Sequence, residues 1–240
     1  MTAVWTIASR ELASLFRLSA GWVTLALFMF VSGSIFALVV LNPGQVASLR
    51  AFFGAAGWLL LPVVPALSMR LLSEEARSGT LDLLQSSPVS ESAIVLGKYL
   101  GALGVLAILL LPSIGFALLL ARVADRPPEL GPLVAGYLSL LLPAMFYLSL
   151  GTLCSSLTSN QTLAYVSTLV VLLAILLASA LGPTVTPERF APALAWIGLD
   201  VRIQDFARGL IDLRHFVFFL SVSIVPLGIS IAILRLRRLG

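Results

Sequence analysis

The residues able to carry chemistry in this 240-residue chain are few and scattered. It has one histidine, His215, and one cysteine, Cys154. A metal site needs several nitrogen, sulfur or oxygen donors brought together, and the sequence offers no such set. A lone cysteine also builds no disulfide framework. His215 could be drawn as a base for one of the many serines, but it sits at the lip of an apolar run, where an interfacial imidazole is the simpler reading. Glu74 and Glu75 with Arg77 superficially resemble the paired glutamates of some intramembrane proteases. The spacing to the arginine differs, and the histidines such sites need are missing. A phosphate-cradling Walker A loop requires G-x-x-x-x-G-K-[ST]. The single lysine, Lys98, follows Gly97 but precedes Tyr99. Any energy from ATP must therefore come from another polypeptide.

The elements that would position these residues follow from composition. Hydrophobic residues make up 59% of the chain and charged residues 11%, with a mean hydropathy of +1.06. A soluble domain carries about 25% charged residues, so the solvent of this chain is lipid. Its net charge of +4 is spread between apolar blocks, without the stripe that a nucleic-acid surface needs. Six runs free of Asp, Glu, Lys and Arg are long enough to cross a bilayer as helices: 21–41, 51–69, 99–121, 133–153, 162–182 and 215–234. In the fifth, eleven Leu, Ile and Val residues favour insertion by roughly 3–7 kcal/mol. The fourth, interrupted by Gly136, Pro143 and Gly151, is the weakest. The expected fold is an all-α integral membrane protein, one domain over 1–240. Proton relays and many cation paths place ionisable groups inside the bundle, so uncharged spans argue against a self-sufficient ion-coupled carrier.

Before the first span, Val4, Ala8, Leu12 and Leu15 recur at helical spacing, with Arg10, Ser14 and Arg17 opposite and Trp5 and Phe16 widening the apolar side. Residues 1–20 thus read as an amphipathic helix in the membrane interface. Gly97, Gly101 and Gly104 offer a close backbone approach to another helix. Pro62, Pro65 and Pro143 predict kinks. Six spans put both termini on one side. The fifteen basic residues divide eight to seven between the two sides, which barely orients the chain, although Arg10, Arg17 and the Arg235–Arg238 tail abut spans and favour a cytoplasmic location.

Two loops are patterned. Between the second and third spans, Gly79 and Pro88 bracket a short helix over 80–86, beginning at Thr80, with Leu81 and Leu84 on one face and Glu74, Glu75 and Arg77 leading into it. Its small apolar face suits a groove on a partner. A further helix is expected to start at Ser90 as N-cap, with Glu91 in its first turn. Before the last span, Ile203, Phe206, Leu210 and Leu213 recur at helical spacing between charged residues. That pattern predicts an interfacial helix over 203–213, too charged to insert.

These segments together resemble the ABC-2 type transporter permeases, most closely the gliding-motility-associated ABC permease subfamily. The resemblance rests on Glu74-Glu75-Ala76-Arg77-Ser78-Gly79-Thr80-Leu81-Asp82-Leu83-Leu84, Pro88-Val89-Ser90, Ile94-Val95-Leu96-Gly97-Lys98-Tyr99-Leu100, the run from Ser155 to Gln161, and Phe206, Arg208, Gly209 and Asp212 before the last span. Each motif is loose, but their order and spacing are specific. The resemblance implies that the loop after the second span is a coupling helix docking on a cytosolic ABC ATPase. Its contacts would come from Glu74, Glu75, Arg77, Gly79, Thr80, Leu81, Leu84 and Pro88. Ile203, Phe206, Arg208, Gly209 and Asp212 would form an outer gate.

The expectation is then a multi-pass half-transporter of the bacterial inner membrane with both termini cytoplasmic. It would act as an exporter subunit by alternating access, binding no cofactor itself while ATP and Mg belong to the partner ATPase. Its partners would be two ATPase copies, a second or related permease, the lipid membrane and room for an auxiliary extracytoplasmic subunit. A non-transporting anchor for an ATPase doing mechanical work stays open at this point, as does, less favoured, a secondary carrier.

Overall fold

The structure, a computed structural model, describes residues 2–17, 19–41, 48–80, 89–124, 130–185 and 212–239. These residues are helical throughout apart from short turns. Helix α1 (Thr2–Arg17) precedes α2 (Ser19–Ile35), which ends in a π turn at Phe36–Val40. Then come α3 (Arg50–Ser68), the short α4 (Ser73–Ser78) and α5 (Glu91–Leu110). A 3-10 turn at Leu111–Ser113 joins α5 to α6 (Ile114–Val123), followed by α7 (Leu130–Leu157), α8 (Gln161–Val185) and α9 (Leu213–Leu239). Among the described residues, six helical stretches are long and apolar enough to cross a membrane, α5 and α6 together making the third.

Helix α7 is the most enclosed span and packs against α3, α8 and α9, whereas α2 and α8 lie on the outside of the bundle. Its glycines make this central place accessible. The Phe53 ring lies against Gly136 so closely that a Cβ there would fall within 2.5 Å of Phe53 Cζ. Gly151 faces Ser68 just as tightly. Pro62 and Pro65 lie inside α3 and Pro143 inside α7. Pro112, by contrast, falls in the 3-10 turn of the third span, where a residue without an N–H cannot continue the α-helical ladder.

Polar side chains inside the bundle are mostly satisfied by their own helix. Ser139, Ser149, Thr152, Thr168, Ser223 and Ser230 are buried and donate to the carbonyl three or four residues back, at 2.6–2.8 Å. Away from α4, an aromatic cluster joins three elements. Phe36 stacks on Phe116 with centroids 4.7 Å apart, and Phe52 meets the same ring edge-on at 5.5 Å. Ser113 and Tyr137 hydroxyls lie 3.1 Å apart nearby in the chain's path.

Both chain ends meet the start of α5. Ser90 caps that helix, accepting the Ala93 N–H at 3.3 Å, with Glu91 in its first turn. Arg238, near the end of α9, reaches Glu91 at 2.7 Å. Helix α1 lies along α5 from the other side.

Candidate functional site

Polar groups converge where α3 ends. The chain leaves Ser68, turns through residues 69–72 and enters α4. The Ser155 hydroxyl, fully buried near the end of α7, closes this turn. It accepts the Leu72 and Ser73 N–H groups at 3.0 Å each and donates to the Met69 carbonyl at 3.0 Å. A helix cannot satisfy its own first amides, so α7 caps α4 from outside. The Ser73 hydroxyl also bonds the Met69 carbonyl.

Two residues further along α4, Glu75 joins a buried ionic cluster. Lys98 Nζ lies 2.8 Å from Glu75 Oε1 and 3.2 Å from Glu11 Oε2, and Arg10 Nη2 lies 3.5 Å from the same Glu75 oxygen. The Lys98 side chain is 3% exposed and Arg10 57%. A desolvated ammonium is tolerated only when paired, and here carboxylates from two different helices hold it. Glu75 Oε2 and Arg70 Nε are buried without a hydrogen-bond partner. The nearest recorded group to the latter is Glu74 Oε2, at 3.9 Å.

Helix α1 reaches this cluster through a groove in α5. A Cβ at Gly97 would fall 2.7 Å from Ile7 Cβ, one at Gly101 would lie 2.8 Å from the Ala8 carbonyl oxygen, and one at Gly104 would lie 2.6 Å from Leu12 Cδ1. The apolar stripe assigned above to a lipid surface therefore meets α5. Trp5, 73% exposed, points away from it. Because the stripe seats in the groove, Glu11 arrives at Lys98.

The other expected coupling residues separate. Glu74 and Arg77 are exposed on α4, and Thr80 is exposed with its hydroxyl 2.8 Å from that of Ser78. Gly79 ends α4 in the left-handed region with φ 72°, which favours glycine because it lacks a Cβ. Leu81, Leu84 and Pro88 lie outside the described residues, as do Ile203, Phe206, Arg208 and Gly209. At the end of the expected outer helix, the structure differs. Leu213 opens α9, and Asp212 is not helical but caps it, its Oδ1 accepting the Arg214 N–H at 2.8 Å. An aspartate before an apolar run satisfies the first amides of the run, and this decides the boundary.

Glu74, Glu75 and Arg77 were named from sequence, but the helix they form was not expected, and Ser155, Glu11 and Lys98 were missed as site residues. The signal was there for the ionic pair: Lys98 is the only lysine, and Glu11 is the only acidic residue before Glu74 and interrupts the apolar stripe of α1. Between α3, α7 and α8 lies a separate apolar cleft of about 60 Å³, lined by Gly57, Trp58, Pro143, Tyr147 and Leu176 among others. That is far below the roughly 300–1,000 Å³ of small-molecule pockets.

Residues 34–234 match the sequence model of the family described as ABC-2 family transporter protein. The chain belongs to the ABC-2 family. Members of the ABC-2 family are non-catalytic, multi-pass membrane subunits that work with an ABC ATPase. The match begins in α2, so α1 and Glu11 stand ahead of the ABC-2 region. No curated protein shows a significant match to the chain.

Proposed function

We propose that this ABC-2 family member is the membrane half of an ATP-driven exporter in a bacterial inner membrane, with both termini and α4 facing the cytoplasm. Two copies, or one copy and a related permease, enclose the path. Two cytosolic ATPases dock beneath them on the segment between α4 and α5 and rock the halves between inward- and outward-facing states. The observation that carries this reading is the anchoring of α4. Ser155 ties it to α7, and Glu75 ties it to α5 and α1. A force applied to the segment after Gly79 therefore reaches the second, third and fourth spans together. A pathway completed by a second copy fits the preference of oligomers for closed symmetry.

The test is the double variant Leu81→Asp and Leu84→Asp. Each leucine would contribute about 1.5–3 kcal/mol if fully buried against a partner. The variant is expected to insert normally yet lose its ATPase on co-purification in mild detergent. Retained binding with normal transport would overturn the docking assignment. A variant that binds but no longer transports would place the segment in coupling, whereas a parent chain that binds its ATPase without any transport in reconstituted vesicles would favour the mechanical anchor instead.

A further inference from the structure

Helix α4 has six residues, too few to hold its own direction. The Ser155 hydroxyl fixes its first turn, but a short rod fixed at one end still swivels. A second fixed point is needed, and Glu75 supplies it. The partner it meets is neither on α4 nor in solvent: it is the buried ammonium of Lys98, already held by Glu11 of α1. Lys98 thus touches groups from α1 and α4 while belonging to α5.

We infer that Lys98 is a positioning residue: clamped by Glu11, it sets the direction in which α4 delivers the chain to the segment after Gly79. This rests on the docking reading given above for that segment. The cluster is not arranged for stability alone. Glu75 uses one carboxylate oxygen for both cations and leaves Oε2 buried without a hydrogen bond, while the guanidinium of Arg70 is turned to Glu74 at 3.9 Å and not to that oxygen. Buried unpartnered groups cost stability. With Oε2 making no bond of its own, the Lys98 and Arg10 contacts on Oε1 are what hold the Glu75 carboxylate in place. The clamp also lies partly outside the region matched to the family, because Glu11 is on α1.

The experiment uses the full chain in nanodiscs with Cys154→Ala and spin labels at Ser9→Cys on α1 and Ser78→Cys on α4, both exposed positions. Pulsed electron paramagnetic resonance is expected to give one narrow distance peak. The triple variant Glu11→Leu, Lys98→Met, Glu75→Leu buries neither an unpaired charge nor an unpartnered amide, and apolar replacements of similar volume leave stability near the parent. It is expected to keep its thermal midpoint and lose the narrow peak. A stable triple variant that keeps the peak overturns the inference. If the triple variant fails to insert, Glu75→Gln decides in the same way, since Lys98 there keeps Glu11. A broadened peak with unchanged ATPase binding and coupled turnover leaves the positioning role standing and overturns the docking reading instead.

Discussion

The Ser155 hydroxyl accepts the Ser73 amide at 3.0 Å across 82 residues of sequence. Helix α4 is thereby as much an extension of α7 as of α3, which it follows in the chain. The same oxygen takes the Leu72 amide and gives its proton to the Met69 carbonyl, so all its hydrogen-bonding capacity is used.

Ser155→Ala is therefore expected to strand two amides at once, the Met69 carbonyl keeping the Ser73 hydroxyl, at a cost on the order of 1–3 kcal/mol for a buried unsatisfied group. Hydrogen exchange should speed up at Leu72 and Ser73 while α8 stays protected. Unchanged exchange at those two amides would show that the turn holds without α7.

Gly101→Leu should lift α1 off α5. The new Cβ would lie 2.7 Å from Glu11 Cβ and 2.8 Å from the Ala8 carbonyl, which is backbone and cannot swing aside. Overpacking of this kind costs about 1–3 kcal/mol, and losing Glu11 from Lys98 adds to it. With Cys154→Ala, a cysteine at the buried Ala8 position should resist a polar maleimide in the parent and label quickly in the Gly101→Leu background. Equal labelling in both would count against the groove.

Gly79 separates backbone strain from crowding, because a Cβ there meets nothing within 4 Å. An L-residue at φ 72° costs about 1–2 kcal/mol, less for Asn and more for a β-branched side chain. Gly79→Asn should keep ATPase co-purification close to the parent, and Gly79→Val should reduce it. Equal behaviour of the two would remove any role for the left-handed turn.

The long elements were legible because span length and charge exclusion are one-dimensional properties. Ser90 as a cap was legible for the same local reason. The fourth run read as weak because Gly136, Pro143 and Gly151 lower its apolar content. Those residues suit the most enclosed helix, which meets protein rather than lipid, and hydropathy alone cannot tell the two surroundings apart. The break at Leu111–Ser113 needed more weight on Pro112. The site was less legible. Glu75 was picked out by its neighbours in sequence, but its partner depends on how α1 folds back, and Ser155 looks like any of many serines until the turn at residues 69–72 is placed beside it.

The serines that bond their own helices have a mechanical consequence. A hydroxyl that donates three or four residues back has spent its only proton within its own helix. Around Ser149, Thr152 and Ser230 shape carries the contact between helices and offers little friction to one helix slipping past another. Resistance comes instead where polar groups cross between helices: Ser155, Lys98 and the Arg238–Glu91 pair at the α4 end, then the Tyr99 hydroxyl donating to the Met145 carbonyl at 3.1 Å, with Ser113 and Tyr137 as a further stop along the bundle. A bundle bolted most densely at one end and only lightly pinned along its length bends like a hinged lever, its freest travel lying away from the bolts.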